Sequence, residues 1–311
     1  GLLLGSSTAG TVNIYNNIIG DLRAPFAASS AVTAPSVRGI NITSTSTSTT
    51  VNVSHNSVLL NAASSGANFG TAALFATTSA TATTAALNLR NNILVNLSTP
   101  KGTGITAAYQ RSSSTLTNYG ALSNNNLFFA GGACANRLIY FDGTNSSQNL
   151  SDFQTLVAPR DAASVTEDPI FVSTSSSSND FLKINTTVAT VVESGGTPVA
   201  PVTTDYDGDV RNVTTPDIGA DEFSGIVTVA CAGTPDAGTA TALATTICSG
   251  QSTSICLSGQ SRGPGTRLQW KSSATSGGPY TNVVCAGANC FETGPLASGT
   301  YYYIAEITCD N

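Results

Sequence analysis

Between Asp205 and Phe223 the chain reads DYDGDVRNVTTPDIGADEF. Six of its 18 acidic residues fall in this stretch: Asp205, Asp207, Asp209, Asp217, Asp221 and Glu222. Carboxylates at that density suit three kinds of chemistry. The alternating Asp205, Asp207 and Asp209 are the candidates for calcium, but a D-x-[DN]-x-[DN]-G loop has its glycine sixth and a bidentate glutamate twelfth. Here Gly208 is fourth and Pro216 twelfth. A paired-carboxylate glycosidase needs two acids on facing strands, one kept protonated by an apolar wall. The third use is charge pairing, for which Arg211 supplies the cation, with Asp207 or Glu222 as its expected partner. This reading needs no cofactor; structural calcium at the three aspartates is the alternative. A serine or cysteine nucleophile would need a base, and His55, the one histidine, falls in an Asn-rich turn where it reads as a turn residue.

The elements that must position these groups repeat. VNIYNNII (Val12–Ile19), VNVSHNSV (Val51–Val58), LNLRNNIL (Leu87–Leu94) and ALSNNNLF (Ala121–Phe128) each read as a short alternating strand running into an Asn-rich turn. Asn17, Asn56, Asn92 and Asn125 mark the turns at steps of 39, 36 and 33 residues. A second apolar series, Ile40, Leu74, Ile105 and Ile139, steps by 34, 31 and 34. Two interleaved strand series with a shared period imply a solenoid, and short β-branched strands punctuated by Asn, Gly and Ser make it a β one. The expected fold is all-β: a right-handed parallel β-helix whose turn asparagines stack coil upon coil. The excursions TSTSTSTT and TTSATATT read as loops extruded from the coils.

Composition narrows the function classes. Only 10% of the 311 residues are charged, Ser and Thr exceed a quarter, and the net charge is −6. No basic stripe is available to neutralise phosphates, which argues against nucleic acid. No apolar run approaches the ~20 residues that span a bilayer, so membrane insertion of this segment is not expected. Of seven cysteines, Cys134 stands apart while Cys231, Cys248, Cys256, Cys285, Cys290 and Cys309 crowd the last part of the chain. That crowding suggests an oxidised, exported domain, and the Cys/His spacings do not suit zinc.

The acidic stretch resembles the D-x-DG-x-x-R…DIGA-x-E signature that closes the β-helix regions of many secreted bacterial surface proteins. EDPIF (Glu167–Phe171) and NDFLKINTTVATVVESGG resemble elements that precede it, with TVAT where that family has SPAI. The resemblance implies a terminal cap over about 165–223, built on Asp207, Gly208, Arg211, Asp217 and Glu222, which hides the last apolar rung of the solenoid and leaves no open edge. From Ile226 the chain changes to short alternating strands with Gly/Ser turns, as in a β-sandwich. The expected domains are 1–225 and 226–311. Residues 229–311 resemble the immunoglobulin-like repeats of very large surface proteins exported by the type IX pathway of gliding Gram-negative bacteria, with Trp270 as the core tryptophan. Tyr301–Tyr303 stand where the usual strand-F cysteine lies, so the pairing expected instead is Cys231–Cys248, Cys285–Cys290 and Cys256–Cys309. TYYYIAEITC takes the place of strand F and only Asp310 and Asn311 follow, so the expectation is a longer parent chain or a strand donated by another subunit.

Together these features lead to a non-enzymatic structural or adhesive segment of a secreted bacterial surface protein or fibre. Its expected partners are other copies or further domains of that protein, and glycans. The alternatives are a polysaccharide lyase or glycoside hydrolase, with its site near Arg111, Arg137, Asp142 and Asp161, and a carbohydrate-binding module.

Overall fold

A computed structural model describes residues 1–5, 9–43, 49–77 and 86–309. Both extruded excursions named above fall mostly outside these residues. The chain forms two compact units, Gly1–Ala130 with Ala135–Val227, and Gly131–Cys134 with the segment from Thr228 onward.

The first unit is a parallel β-solenoid. After β1 (Leu2–Leu4), each of three coils supplies three strands: β2 (Gly10–Tyr15), β3 (Ile18–Ile19) and β4 (Val37–Ile42); β5 (Thr49–Ser54), β6 (Ser57–Leu60) and β7 (Thr71–Ala76); β8 (Ala86–Arg90), β9 (Ile93–Asn96) and β10 (Thr106–Arg111). A last, partial coil adds β11 (Leu127–Phe129), β12 (Arg137–Phe141) and the short β13 (Ser146–Ser147), followed by α1 (Leu150–Val157). Three sheets result, in the orders β2-β5-β8, β3-β6-β9-β11 and β1-β4-β7-β10-β12-β13, with every pairing between coils parallel. Alternation explains the first sheet: Val12, Ile14, Val51, Val53, Leu87 and Leu89 turn into the core, while Asn13, Asn52 and Asn88 sit in register on the outer face.

At the turn between the first two sheets, the asparagines stack. The Nδ2 of Asn17 donates to Oδ1 of Asn56 (2.8 Å), Asn56 to Asn92 (2.9 Å), and Asn92 to Asn126 (2.9 Å). The fourth member is therefore Asn126, not Asn125: the register Leu127↔Ile93 puts Asn126 over Asn92. Asn125 belongs to the preceding column with Asn16, His55 and Asn91, all at φ between 51° and 56°, a left-handed conformation that Asn and His tolerate better than branched residues. The stack of Asn17, Asn56, Asn92 and Asn126 ends at Asp161, whose Oδ1 accepts the Nδ2 of Asn126 at 3.0 Å.

The second apolar series also shifts. Ile40 pairs with Leu74, but the residues that continue the row are Tyr109 and Tyr140, not Ile105 and Ile139. Aromatic residues fill the core in its later coils, where α1 brings Phe153 against Phe128 (5.2 Å between ring centroids) and Tyr140 (4.9 Å). Leu150, Phe153 and Val157, at i, i+3 and i+7, give α1 its apolar side. This short helix closes the later rungs of the core.

The segment expected to cap the stack lies elsewhere. Val165, Phe171, Phe181, Leu182, Ile184, Val191, Val192, Ile218 and Phe223 pack on the outward residues of β3-β6-β9-β11, among them Leu59, Ile93, Val95 and Leu127. It is a lateral cover. A sheet apolar on both faces needs one, because outward Ile and Leu rows cannot face water over several coils.

The second unit holds two antiparallel sheets, built from β14 (Thr239–Ala242), β15 (Ser254–Ser258), β16 (Thr266–Ser273), β17 (Thr281–Asn282), β18 (Cys290–Glu292) and β19 (Tyr302–Cys309), in the orders β14-β15-β18 and β17-β16-β19. Both sheets contribute to one core around Ile255, Leu257 and Trp270. The Trp270 indole is fully buried and donates Nε1–H to the Ala288 carbonyl at 2.9 Å, so it fills this core. Asp310 and Asn311 lie outside the described residues.

The disulfides are Cys134–Cys285, Cys231–Cys309 and Cys256–Cys290, with Cys248 free and exposed. All three expected pairs are overturned, for geometric reasons. Cys256 and Cys290 are register partners on adjacent strands, which leaves Cys290 unable to take Cys285. Cys231 donates its N–H to Pro264, beside the start of β16, where the end of β19 brings Cys309. Cys285 is met by Cys134, on the short Gly131–Cys134 excursion that belongs to this unit. Three disulfides fit an oxidising environment.

Asn92 shows what the inner stack contributes. It is fully buried, accepts from the Asn56 backbone and amide, and donates to Val53, Arg90 and Asn126. Asn92→Leu should lower unfolding stability by roughly 1–3 kcal/mol for each polar group it strands, measured by urea denaturation; an unchanged midpoint would contradict a structural role for the column.

Candidate functional site

The acidic stretch proves to be a set of acceptors for backbone that has no strand partner. Irregular chain must still satisfy its buried N–H groups, and carboxylates do this where no ladder is available. Asp205 Oδ1 accepts the N–H groups of Asp207 (3.1 Å), Gly208 (2.8 Å) and Asp209 (2.8 Å), and its Oδ2 that of Glu222 (2.9 Å). Asp217 accepts Ser194 (2.6 Å) and Phe223 (2.8 Å). Glu222 accepts Asn212 (2.7 Å), Asp217 (2.9 Å) and the Arg211 guanidinium (3.2 Å). Asp207 pairs with Lys183 at 3.0 Å, which holds its carboxyl below the usual range. Burial instead pushes Asp217 up to about 7, against its two N–H donors, and Asp221 up to about 6.

Arg211 joins this segment to the solenoid. It is almost fully buried, and besides Glu222 it donates to Asn16 Oδ1 (3.0 Å) and to the carbonyls of Gly219 (3.1 Å) and Ala220 (3.0 Å). The DIGA turn then lies against the coils: Gly219 N–H meets Asn91 O at 2.8 Å and Ala220 N–H meets Ser57 Oγ at 3.0 Å. At Gly219, with φ of 104°, a Cβ would fall 2.6 Å from Ile93 Cδ1, so only glycine fits. Asp205, Asp207 and Asp209 do bring carboxylate oxygens within 4.8 Å of one another. The lone pairs of Asp205, however, are already turned onto four N–H groups.

His55 sits beneath this turn, fully buried, with Nε2 2.9 Å from the Asn91 amide nitrogen. The amide donates there, which places the ring proton on Nδ1. The Asp217 and Gly219 carbonyls favour the protonated ring, yet no well-aligned hydrogen bond reaches Nδ1. Burial dominates and, with Arg211 and Arg90 nearby, pushes the ring down to about 3. A neutral, enclosed imidazole of this kind is a packing group.

Of the residues expected around a lyase or glycosidase site, Asp161, Asp142 and Arg111 are also buried and Arg137 is half-buried. Asp161 is fully buried and accepts from Tyr119, Ser164 and Asn126. Asp142 is buried and accepts the N–H groups of Thr144 and Asn145 at a turn. Arg111 is buried over the Tyr119 ring and donates to Thr115 and Asn118, while Arg137 reaches the Ala130 carbonyl.

A groove lies on the outer face of β2-β5-β8. Its floor is the row Asn13, Asn52 and Asn88, in which Asn52 Nδ2 meets Asn13 Oδ1 and Asn88 Nδ2 meets Asn52 Oδ1, each at 2.9 Å. One wall is a tight turn, Val199–Val202, closed by Val202 N–H on Val199 O at 2.7 Å. The wall is anchored at both ends: Arg90 and Asn91 hold Thr197 and Pro198, and Asn16 donates to Thr204 O at 2.7 Å. Tyr15, Val53, Ser54, Arg90 and Leu122 complete the lining. The composition of the chain hinted at amide-rich faces, but nothing in the sequence places residues 199–202 beside Asn13.

The fold thus defines the class as a parallel β-solenoid with antiparallel sheets in the same chain. No protein-family model, curated protein or solved structure matches it.

Two outcomes test this account. Arg211→Ala removes the cation from a buried pair and should cost about 3–5 kcal/mol, read as a fall in melting temperature, whereas a chelator should leave the wild-type melting temperature unchanged. His55→Asn keeps a residue suited to the left-handed turn but removes the titration. Because the folded ring is held neutral, wild-type stability is fully present above pH ~6.5 and falls toward pH ~3 by up to about 1.4 kcal/mol per unit. Asp217 acts with the opposite sign, its contribution falling as pH rises from about 4 to about 7. The difference between the two proteins isolates the ring, and the variant should show the shallower acid loss.

Proposed function

We propose that the chain is a non-enzymatic, extracellular structural and adhesive segment of a bacterial surface protein or fibre, with its C-terminal unit an immunoglobulin-like module of the type carried by large type IX-exported proteins. The observation that carries this reading is that Asp205, Asp217 and Glu222 are engaged in holding the chain's own backbone, while His55 is enclosed against the Asn91 amide. Supporting it are the three disulfides and a surface built from hydroxyls and amides in place of charges. A solenoid braced along one side by a hydrogen-bonded cover suits a segment that spaces or presents a binding surface.

The test uses the whole chain. Beads coated with it should adhere to polysaccharide-coated surfaces, while a panel of neutral and acidic polysaccharides incubated with it should release neither reducing ends nor unsaturated products. Product release that disappears in Asp142→Ala, with the circular dichroism spectrum intact, would overturn the proposal.

A further inference from the structure

We infer that the groove over Asn13, Asn52 and Asn88 binds an extended, uncharged, hydroxyl-rich glycan chain lying along the solenoid axis. This rests on the adhesive reading and names its ligand class and site. The floor is a periodic polar surface. Within the row Asn13 uses one oxygen lone pair, Asn88 one N–H and Asn52 one of each, so Asn13 and Asn52 retain a second lone pair and each of the three retains at least one further N–H. These pairs recur at the inter-strand distance of about 4.8 Å, close to the rise of one residue in an extended hexose chain. A vicinal diol presents a donor and an acceptor at a separation that an amide edge can match. The row ends at the fourth rung, where Asn88 Oδ1 packs against Gly120 so closely that a Cβ there would fall 1.8 Å from it.

The rest of the lining fits the same ligand. Tyr15 is 43% exposed and Leu122 is 64% exposed, at opposite ends of the row, with the aliphatic turn Val199–Val202 between them along the side. An aromatic ring and aliphatic edges offer contact to the C–H faces of pyranose rings, while the amides take the hydroxyls. The groove encloses about 170 Å³, below the ~300–1,000 Å³ of pockets that bury a whole small ligand, so it suits a chain passing across it. Charge points to a neutral ligand. The lining holds no acid, and its one cation, Arg90, directs Nη2 to Thr197 Oγ1 and the Pro198 carbonyl at 3.2 Å, where it fixes the wall.

Linear β-linked gluco- and xylo-oligosaccharides of one to six units, titrated calorimetrically into the intact protein, test this, with oligogalacturonates as the charged arm. The neutral series should bind saturably and independently of salt, gaining affinity up to about three or four units and then levelling. Tyr15→Ala should weaken binding about tenfold or more (about 1.4 kcal/mol) without lowering the melting temperature, Asn52→Leu should weaken it as much in protein that still folds, and Tyr15→Phe should retain binding. Asn13→Ala, at the exposed end of the row, serves if Asn52→Leu does not fold. No binding by the neutral series, binding that ignores chain length, salt-sensitive binding of the uronates alone, or binding untouched by these variants would each overturn the groove assignment. Bead adhesion that survives Tyr15→Ala would leave the adhesive reading standing while removing this site; released sugar products would sink both.

Discussion

An amide buried in a protein core must find partners for two donors and an acceptor, and the inner column Asn17, Asn56, Asn92 and Asn126 meets that demand coil by coil. Each side chain also ties down backbone within its own turn or the coil before it, as Asn56 does with Ser54 and Ile14. A slip of one residue between coils would strand every amide in the column and turn the Val and Leu rows outward. Strand register, the left-handed residues before each asparagine and the position of His55 all follow from that one requirement.

The lateral cover solves the complementary problem. The sheet β3-β6-β9-β11 is apolar on both faces, so its outer rows need a lid, and the lid is a segment nearly devoid of regular strands. Such a segment has many N–H groups and few ladder carbonyls to receive them. Asp205, Asp217, Glu222, Glu167 and Glu193 take their place, each accepting from one or more backbone N–H groups. The acidic density and the irregular backbone are two aspects of one arrangement, with the Arg211 guanidinium joining it to the coils. The same segment, by folding back at Val199–Val202, turns an open sheet face into a groove.

Much of the solenoid is legible in the sequence because its signals are local and repeated: an alternating strand, a left-handed asparagine or histidine, then an inward amide. Where three asparagines stand together at 124–126, the pattern alone does not say which of them turns inward, and only register selects Asn126. The row through Tyr109 and Tyr140 is hidden for a different reason, since aromatic residues replace the aliphatic ones that mark the earlier coils. Helix α1 had a readable signal in Leu150, Phe153 and Val157, but it is brief and sits among polar residues. Disulfide pairing and the placement of the acidic segment are not legible from spacing. Both depend on which distant surfaces meet, and a motif's place near the end of a repeat region does not say whether it will cover the end or the side. The groove is hidden on the same grounds, because its wall and floor lie more than a hundred residues apart in sequence.

The inner amide column has a direction. Every member donates toward the next coil, and the series stops at Asp161, a carboxylate whose oxygens serve as acceptors for Asn126, Ser164 and Tyr119. A whole coil inserted anywhere before that point would find a donor on one side and an acceptor on the other, leaving the rest of the column unchanged, whereas a part of a coil would break it. Descent with change in length is thereby restricted to duplication or loss of complete coils, with the Asp161 terminus inherited intact.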